Sequence, residues 1–267
     1  MILLKNGHIC PVASEPFVGD LLLDGNRIAA LGSSLDAPEA TTIDVSGCWV
    51  LPGIIDAHCH IGMFEDGMGD EGADGNEYSD PITPEMRAID GLNPFDPCFA
   101  EARTAGVTTV VTGPGSANVI GGQFAALKTA GGSVEEMLIR FPVAMKAAMG
   151  ENPKRVYAEQ KASPYTRMAI AALFRKAILD AKEYAQAKAE AEKDASKKPD
   201  LDLGLEALLP VLRGELPLKV HAHRADDILT ALRLAREFHL RISLEHCTEG
   251  HLIAEELKRQ IESLGGV

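Results

Sequence analysis

Short apolar runs separated by turn-forming residues occupy the N-terminal part of the chain. The runs "MILLKNGHIC", "GDLLLDGNRIAALG" and "TTIDVSGCWVLPG" are interrupted by Gly, Asn and Asp, a pattern typical of short β-strands. In "LDGNRI", the Asp-Gly-Asn sequence supplies residues that tolerate positive φ between two strands, which indicates a hairpin. We therefore predict an all-β segment that ends near residue 52.

From residue 53 onward, apolar strand-like runs alternate with longer helical patterns. Helices are predicted from Thr83 in "TPEMRAIDGL", in "PFDPCFAEARTAG", in "SVEEMLIRF" and over residues 163–195. Strands are predicted in "GIIDA", "VTTVV", "PVAMKAAMG", "PLKVHAH" and "RISLEH". This alternation indicates βαβ units and a parallel sheet, which is compatible with a doubly wound sheet or with a (β/α)₈ barrel.

Polar residues at the ends of these strands favour the barrel. The candidates at or near the carboxyl ends of predicted strands are His58, His60, Lys146, His221 and His246. In a barrel those ends converge on one face, where active sites are built. The prediction is an α/β fold of the (β/α)₈ TIM-barrel type, incomplete with about six strands, over residues 53–267.

Two histidine pairs suggest a metal site. His58 and His60 are two residues apart, so on an extended strand both imidazoles point the same way and can bind one ion. Asp56 lies on the same face and is a candidate hydrogen-bond partner for a ligand. His221 and His223 repeat the spacing, and we favour His221 as the ligand. The alternative, that these are ordinary core or loop histidines, remains open.

Lys146 is a lysine inside an otherwise apolar strand. Burying an unpaired ammonium group costs several kcal/mol, so something must neutralise or pair it. One solution is a depressed pKa that lets the amine react with carbon dioxide to give a carbamate, an anionic oxygen ligand. The alternatives are a salt bridge to Glu151 or Asp56, or Glu151 itself as the rival metal ligand.

Several motifs together resemble the amidohydrolase superfamily, and within it the imidazolonepropionase-related branch. They are the N-terminal strands followed by "DVSGCWVLPGIIDAHCH", then "GVTTVVTGPG", "MKAAMGENPKR", "LKVHAHRADD" and "ISLEHCTEG". The resemblance covers essentially the whole chain. It implies a metal-dependent hydrolase with a (β/α)₈ barrel and a small β-sandwich domain, to which residues 1–52 would contribute.

The resemblance also implies a ligand set and one departure from it. The ligands would be His58, His60, a carboxylated Lys146, His221 and His246, binding one or two divalent ions, zinc foremost. Members of the superfamily carry a catalytic aspartate on the eighth strand. This sequence ends at "QIESLGGV", after what we interpret as the sixth strand, so we expect a C-terminally truncated enzyme.

The resemblance suggests hydrolysis of a carbon–nitrogen bond in an amide, N-acyl amino acid, dipeptide or cyclic amide. His223 would stabilise the oxyanion. The residues themselves offer Asn118 and Gln123 in "GPGSANVIGGQ", and Lys154 and Arg155 in "GENPKR", as candidates for substrate binding. Gly-rich turn chemistry for the first pair and surface charge for the second are the open alternatives. Two other functions remain open: a non-catalytic metal-binding or structural protein, and a deaminase of the same superfamily. A deaminase typically lacks the fourth-strand lysine, so Lys146 argues against it.

The composition of the chain limits which partners and which cellular compartment we expect. The 267 residues carry a formal net charge of −13, which disfavours nucleic acid and anionic membranes as partners. No apolar stretch approaches the ~20 residues of a membrane span. Five cysteines without a CxxC pair, and no secretory signal, favour free thiols and a cytoplasmic protein. We expect a small-molecule substrate and a homo-oligomer.

Overall fold

The computed structural model describes residues 1–263. The chain divides into two compact units, one over Met1–Ile54 and the other beginning at Ile55. The glycine pair expected after the last helix, in "SLGGV", lies outside the described residues.

The N-terminal unit is built on one five-stranded sheet. Its strands are β1 (Ile2–Ile9), β2 (Phe17–Asp24), β3 (Arg27–Gly32), β4 (Thr41–Asp44) and β5 (Trp49–Val50). The order is β3-β2-β1-β4, and β5 also pairs with β1. β2 and β3 are antiparallel and meet at Asp24 and Arg27, with Gly25 at φ +56° in the turn. The predicted hairpin is confirmed.

The second unit contains a six-stranded, barrel-like sheet, which confirms the expected strand number. Its strands are β6 (Ile54–Cys59), β7 (Val107–Thr112), β8 (Ile120–Lys128), β9 (Leu138–Ala148), β10 (Leu218–Ala222) and β11 (Ile242–His246). They pair in sequence order from β6 to β11. Its helices are α1 (Ala88–Gly91), α2 (Pro97–Thr104), α3 (Val134–Met137), α4 (Glu151–Glu159), α5 (Arg167–Ala191), α6 (Leu203–Leu212), α7 (Ala225–Phe238) and α8 (Ala254–Ser263).

The expectation that all strands are parallel is wrong for β8. β9, β10 and β11 are parallel neighbours, but β8 runs antiparallel to both β7 and β9. We expected the segment "GPGSANVIGGQ" to offer groups for substrate docking or to be a Gly-rich turn, but its last four residues begin β8. Gly122 sits in β8 at φ +113°, where an added Cβ would lie 2.6 Å from the Met86 carbonyl oxygen. The glycine therefore allows close backbone packing rather than a turn.

Two helix boundaries also differ from the prediction. Residues 83–87 precede α1 and are not helical, because Thr83 and Gln123 hydrogen-bond this segment to β8 through the Ile120 and Met86 carbonyls. The helix predicted in "SVEEMLIRF" is the single turn α3, after which the chain enters β9 at Leu138. In both places contacts with β8, which the sequence did not reveal, override the local helical preference.

Strand alternation gives the sheet an apolar face and a polar face. Met145 and Ala147 of β9, Leu218 and Val220 of β10 and Ile242 of β11 belong to one buried apolar cluster. The same cluster takes residues from α5, α6 and α7, such as Phe174, Leu208 and Leu232. The residues between them on each strand therefore point the other way, into the barrel. None of the described helices is long and apolar enough to cross a membrane.

Candidate metal centre

The inner face of the barrel carries ionisable side chains on three neighbouring strands. Lys146 on β9 is opposite Lys219 on β10 in the register, and His221 on β10 is opposite Glu245 on β11. Lys146 is 0% exposed and His221 is 3% exposed. Alternation with the apolar cluster explains why these polar residues share one face.

His58 and His60 enter the same space from β6. Their ring centroids are 5.2 Å apart, and the His58 ring stacks on Phe124 of β8 at 5.4 Å. The His60 Nδ1 atom lies 2.7 Å from the Gly113 carbonyl oxygen, which can only accept a hydrogen bond. Nδ1 of His60 therefore carries the proton, and Nε2 keeps a lone pair for a ligand.

Lys146 is adjacent to this pair. Its Nζ lies 3.4 Å from the His58 Nε2 atom and 5.8 Å from the centre of the Phe124 ring. Burial lowers the pKa of Lys146 from 10.5 to about 7. A sizeable fraction of the amine is therefore neutral near pH 7 and can act as a nucleophile. Burial, followed by the charge of Lys146, lowers the pKa of His58 to about 3.

His221 and His246 complete the group from β10 and β11. Their ring centroids are 4.7 Å apart, and His246 lies 5.5 Å from His58 across the barrel. Burial, followed by the charge of Lys146, lowers the pKa of His221 to about 3. His221 is therefore a neutral imidazole at pH 7, as metal binding requires.

The ends of β10 and β11 are tied together by backbone hydrogen bonds. The Cys247 amide donates to the Ala222 carbonyl, and the Glu249 amide donates to the His223 carbonyl. His246 and Cys247 have φ values of +69° and +47°, which non-glycine residues adopt rarely and at some cost. This turn breaks the strand alternation, so Glu245 and His246 both approach His58 although they are adjacent in sequence.

The rival ligand Glu151 lies on the far side of His221. Glu151, His221 and His223 each place one ligand atom within 4.8 Å of the others. The Glu151 Oε2 atom is 3.8 Å from an Arg167 nitrogen, while Arg167 itself hydrogen-bonds both oxygens of Asp227. The His223 Nδ1 atom is 2.6 Å from the Thr248 hydroxyl, which leaves its Nε2 for substrate or a ligand.

The Asp56 carboxylate has a different partner from the one expected. It accepts a hydrogen bond from the His58 backbone amide at 3.0 Å, so it shapes the strand end rather than the imidazole. The carboxylate beside the His58 ring is Glu245, whose Oε2 lies 3.2 Å from Nδ1.

The predicted substrate-binding residues lie in two places. Asn118 is buried and donates to the Asp80 carbonyl and the Thr83 hydroxyl. Gln123 lies in β8, not in a turn, and donates to the Pro84 carbonyl. Both amide donors thus hold the segment before α1. Lys154 and Arg155 are exposed on α4.

Lys219, Glu245 and Asn152 were missed in the sequence. Lys219 lies two residues before His221, so alternation alone would have placed it on the polar face. Glu245 lies two residues after Ser243 in β11, so the same alternation would have placed it there. The left-handed turn at His246, which the sequence does not reveal, hid instead that His246 also reaches His58. The Asn152 side-chain nitrogen lies 3.2 Å from the His221 Nε2 atom, a contact that depends on how α4 leaves β9.

Known proteins resemble the chain both in fold and in sequence. An amidohydrolase from Thermotoga maritima MSB8 superposes with a TM-score of 0.93 and is 43% identical, over 97% of this chain and 68% of its own. The chain belongs to the amidohydrolase superfamily. No protein-family model matches the sequence.

Three further relatives match over shorter shares of their length. The amidohydrolase tasK of Hapsidospora irregularis is 32% identical over 91% of this chain, which spans only 27% of tasK. A D-hydantoinase of Geobacillus stearothermophilus is 44% identical over 61 residues, 23% of this chain and 13% of that enzyme. A dihydroorotase of Streptococcus pyogenes is 43% identical over 62 residues, 23% of this chain and 15% of that enzyme.

Proposed function

We propose that this amidohydrolase chain carries the divalent-metal centre of a hydrolase that cleaves a carbon–nitrogen bond. The observation that carries the proposal is the convergence of five side chains from four strands of one sheet. They are His58 and His60 from β6, Lys146 from β9, His221 from β10 and His246 from β11. Their mutual spacing of 4.7–5.5 Å between imidazole rings suits imidazoles that surround one or two ions.

The side chains present fit a metal ion. The Gly113 carbonyl holds Nδ1 of His60, which leaves its Nε2 for a ligand, and the Nε2 atom of His58 lies 3.4 Å from the Lys146 Nζ atom. The His221 Nδ1 atom is buried with no hydrogen-bond partner, and an unsatisfied buried polar atom costs about 1–3 kcal/mol. A ligand bond from this atom would remove that cost. A set rich in imidazole favours zinc among the common divalent ions.

Lys146 would supply the oxygen ligand. The neutral amine attacks carbon dioxide, a C–N bond forms and one amine proton leaves to solvent, which gives a carbamate anion. The lowered pKa of Lys146 supports this step, because the attacking form is populated near neutral pH. A carbamate is long enough to bridge two ions, whereas the unmodified amine offers one donor.

A divalent ion held by these side chains would supply Lewis-acid chemistry, polarising the scissile carbonyl and lowering the pKa of a water molecule toward neutrality. The chain's own residues prepare the site: Phe124 shields His58 and Lys146 from solvent, and Gly113 fixes His60. His223, held by Thr248, would donate a hydrogen bond from Nε2 to the oxyanion that forms on the substrate.

For the substrate, we favour a small amide, with a cyclic amide first. Two relatives, a dihydroorotase and a D-hydantoinase, are named for ring amides. An N-acyl amino acid or a dipeptide has the same scissile group. Asn118 and Gln123, which hold the segment before α1, and Lys154 and Arg155 on α4 remain the proposed substrate-binding residues, the last two for an anionic end.

The test compares two lysines. Lys146→Ala should lower the zinc content of the reconstituted protein severalfold, because the oxygen ligand is lost, while Lys154→Ala on exposed α4 should retain it. Metal is measured by elemental analysis after removal of unbound zinc. Equal zinc content in the two variants would exclude Lys146 and move the assignment to Glu151.

A further inference from the structure

A buried ion pair lies directly beneath the proposed metal ligands. The Lys219 Nζ atom is 2.7 Å from the Glu245 Oε1 atom, and the two side chains are 11% and 12% exposed. The Ser243 hydroxyl donates to the same oxygen at 2.6 Å. These three residues sit on the inner face of β10 and β11, and the register pairs Lys219 with Ser243.

The two oxygens of Glu245 face different partners. Oε1 is occupied by Lys219 and Ser243, whereas Oε2 lies 3.2 Å from the His58 Nδ1 atom on β6. This is a charge contact, because the buried Nδ1 atom makes no hydrogen bond of good geometry among the described residues. The carboxylate therefore reaches from one edge strand of the sheet to the other. An ionised carboxylate only accepts hydrogen bonds, so it favours the form of His58 with the proton on Nδ1.

We propose that Glu245, held ionised and oriented by Lys219, is a positioning residue that fixes the tautomer of His58 so that the Nε2 lone pair faces the metal position. The proposed role parallels that of the Gly113 carbonyl, which holds Nδ1 of His60 by a hydrogen bond. Both imidazoles of the "HCH" pair would then carry their proton on Nδ1 and leave Nε2 free for the metal. The inference deepens the proposed function: its prediction for zinc affinity rests on the proposed metal centre, whereas its prediction for the His58 tautomer does not.

Lys219 determines which end of a substituted side chain faces His58. In Glu245→Gln the shape is conserved, but the Lys219 ammonium only donates and therefore draws the amide oxygen to the former Oε1 position. The amide NH₂ then points at His58 Nδ1 and donates to it. The proton of the neutral imidazole must move to Nε2, the atom that the metal needs. The variant thus inverts the tautomer without removing a side chain.

Removing Lys219 should reverse this effect. In Lys219→Met/Glu245→Gln no ammonium group holds the amide oxygen, and the Ser243 hydroxyl can donate or accept. The amide can turn and present its oxygen to His58 Nδ1 again. A purely structural role of the ion pair predicts the opposite order, in which the double variant is no better than the single variant.

Two measurements on the full chain test the proposal. In metal-free protein, ¹⁵N chemical shifts of His58 should show the proton on Nδ1 in the wild type and in the double variant, and on Nε2 in Glu245→Gln. Zinc affinity, measured by competition with a chromophoric chelator, should fall about 10- to 100-fold in Glu245→Gln and recover at least partly in the double variant. Glu215→Gln, which removes an exposed, ion-paired carboxylate, should match the wild type.

The possible results distinguish the positioning role of Glu245 from the proposed metal centre. An unchanged His58 tautomer in Glu245→Gln, or a wild type protonated on Nε2, overturns the positioning role. The same tautomer pattern as predicted, together with no zinc binding by the wild type, retains the positioning role and overturns the proposed metal centre. If circular dichroism shows that Glu245→Gln does not fold, Glu245→Asp takes its place: the shortened carboxylate should leave His58 in a tautomer mixture, and a pure Nδ1-protonated form would overturn the proposal.

Discussion

At the scale of single residues, burial keeps the basic side chains of the centre uncharged. His58 and His221 have pKa values lowered to about 3 and Lys146 to about 7, in each case with burial as the largest cause. Neutral imidazole and neutral amine are the forms that bind metal or attack carbon dioxide. The folded chain therefore holds the protonation state that the proposed chemistry needs.

The lowered pKa of Lys146 predicts a pH-dependent stability for the metal-free protein. Between pH 7 and 10.5 the unfolded chain binds a proton at Lys146 that the folded chain does not. The free energy of unfolding should therefore rise with pH across this window, by up to about 1.4 kcal/mol per pH unit from this group. Lys146→Met should flatten the rise, as measured by urea denaturation under carbon dioxide-free conditions. A slope unchanged by the substitution would show that Lys146 titrates normally.

The buried histidines predict how the stability of the metal-free protein changes in acid. Because His58 and His221 are neutral when folded and titrate near pH 6.5 when unfolded, the metal-free protein should lose stability as pH falls from 6.5 toward 3. Each residue adds up to about 1.4 kcal/mol per pH unit. His221→Asn should reduce this slope in acid denaturation curves, whereas substitution of the exposed His251 by Asn should leave it intact.

At the scale of elements, the carboxyl ends of the strands position the site, and much of this was predictable. Alternation of polar and apolar residues in "PVAMKAAMG" and "PLKVHAH" placed Lys146 and His221 on one face. The strand β8 was not predictable, since its glycines are typical of a turn. The left-handed turn at His246 was hidden as well, because backbone φ is set there by hydrogen bonds between β10 and β11.

The junction after β7 gives a prediction at this scale. An added Cβ on Gly113 would lie 2.5 Å from the Phe124 ring, which is too close to accommodate without movement. Gly113→Ala should destabilise the protein by about 1–3 kcal/mol and weaken zinc binding, because the carbonyl that holds His60 shifts. Gly91→Ala, where an added Cβ meets its neighbours at 3.6 Å or more, is the matched control. Thermal unfolding and chelator competition measure both effects, and equal behaviour of the two variants would contradict the role of Gly113.

At the scale of the whole molecule, the chain combines an N-terminal sheet unit with a barrel-like unit that holds the candidate centre. The barrel type and the superfamily followed from the motifs at the strand ends. The antiparallel β8 and the Lys219–Glu245 pair did not, because they depend on contacts between segments distant in sequence. The chain spans 68% of the Thermotoga maritima relative, and its substrate remains a proposal.

The central claim is that the strand-end side chains bind a divalent ion. The most direct measurement is the zinc content of the purified chain after reconstitution and removal of unbound metal. The account predicts at least about one equivalent per chain, a large loss in His58→Asn/His60→Asn, and a higher melting temperature with zinc, since a ligand that binds only the folded state stabilises it. Less than one equivalent in the wild type, or equal content in the double variant, would contradict the account.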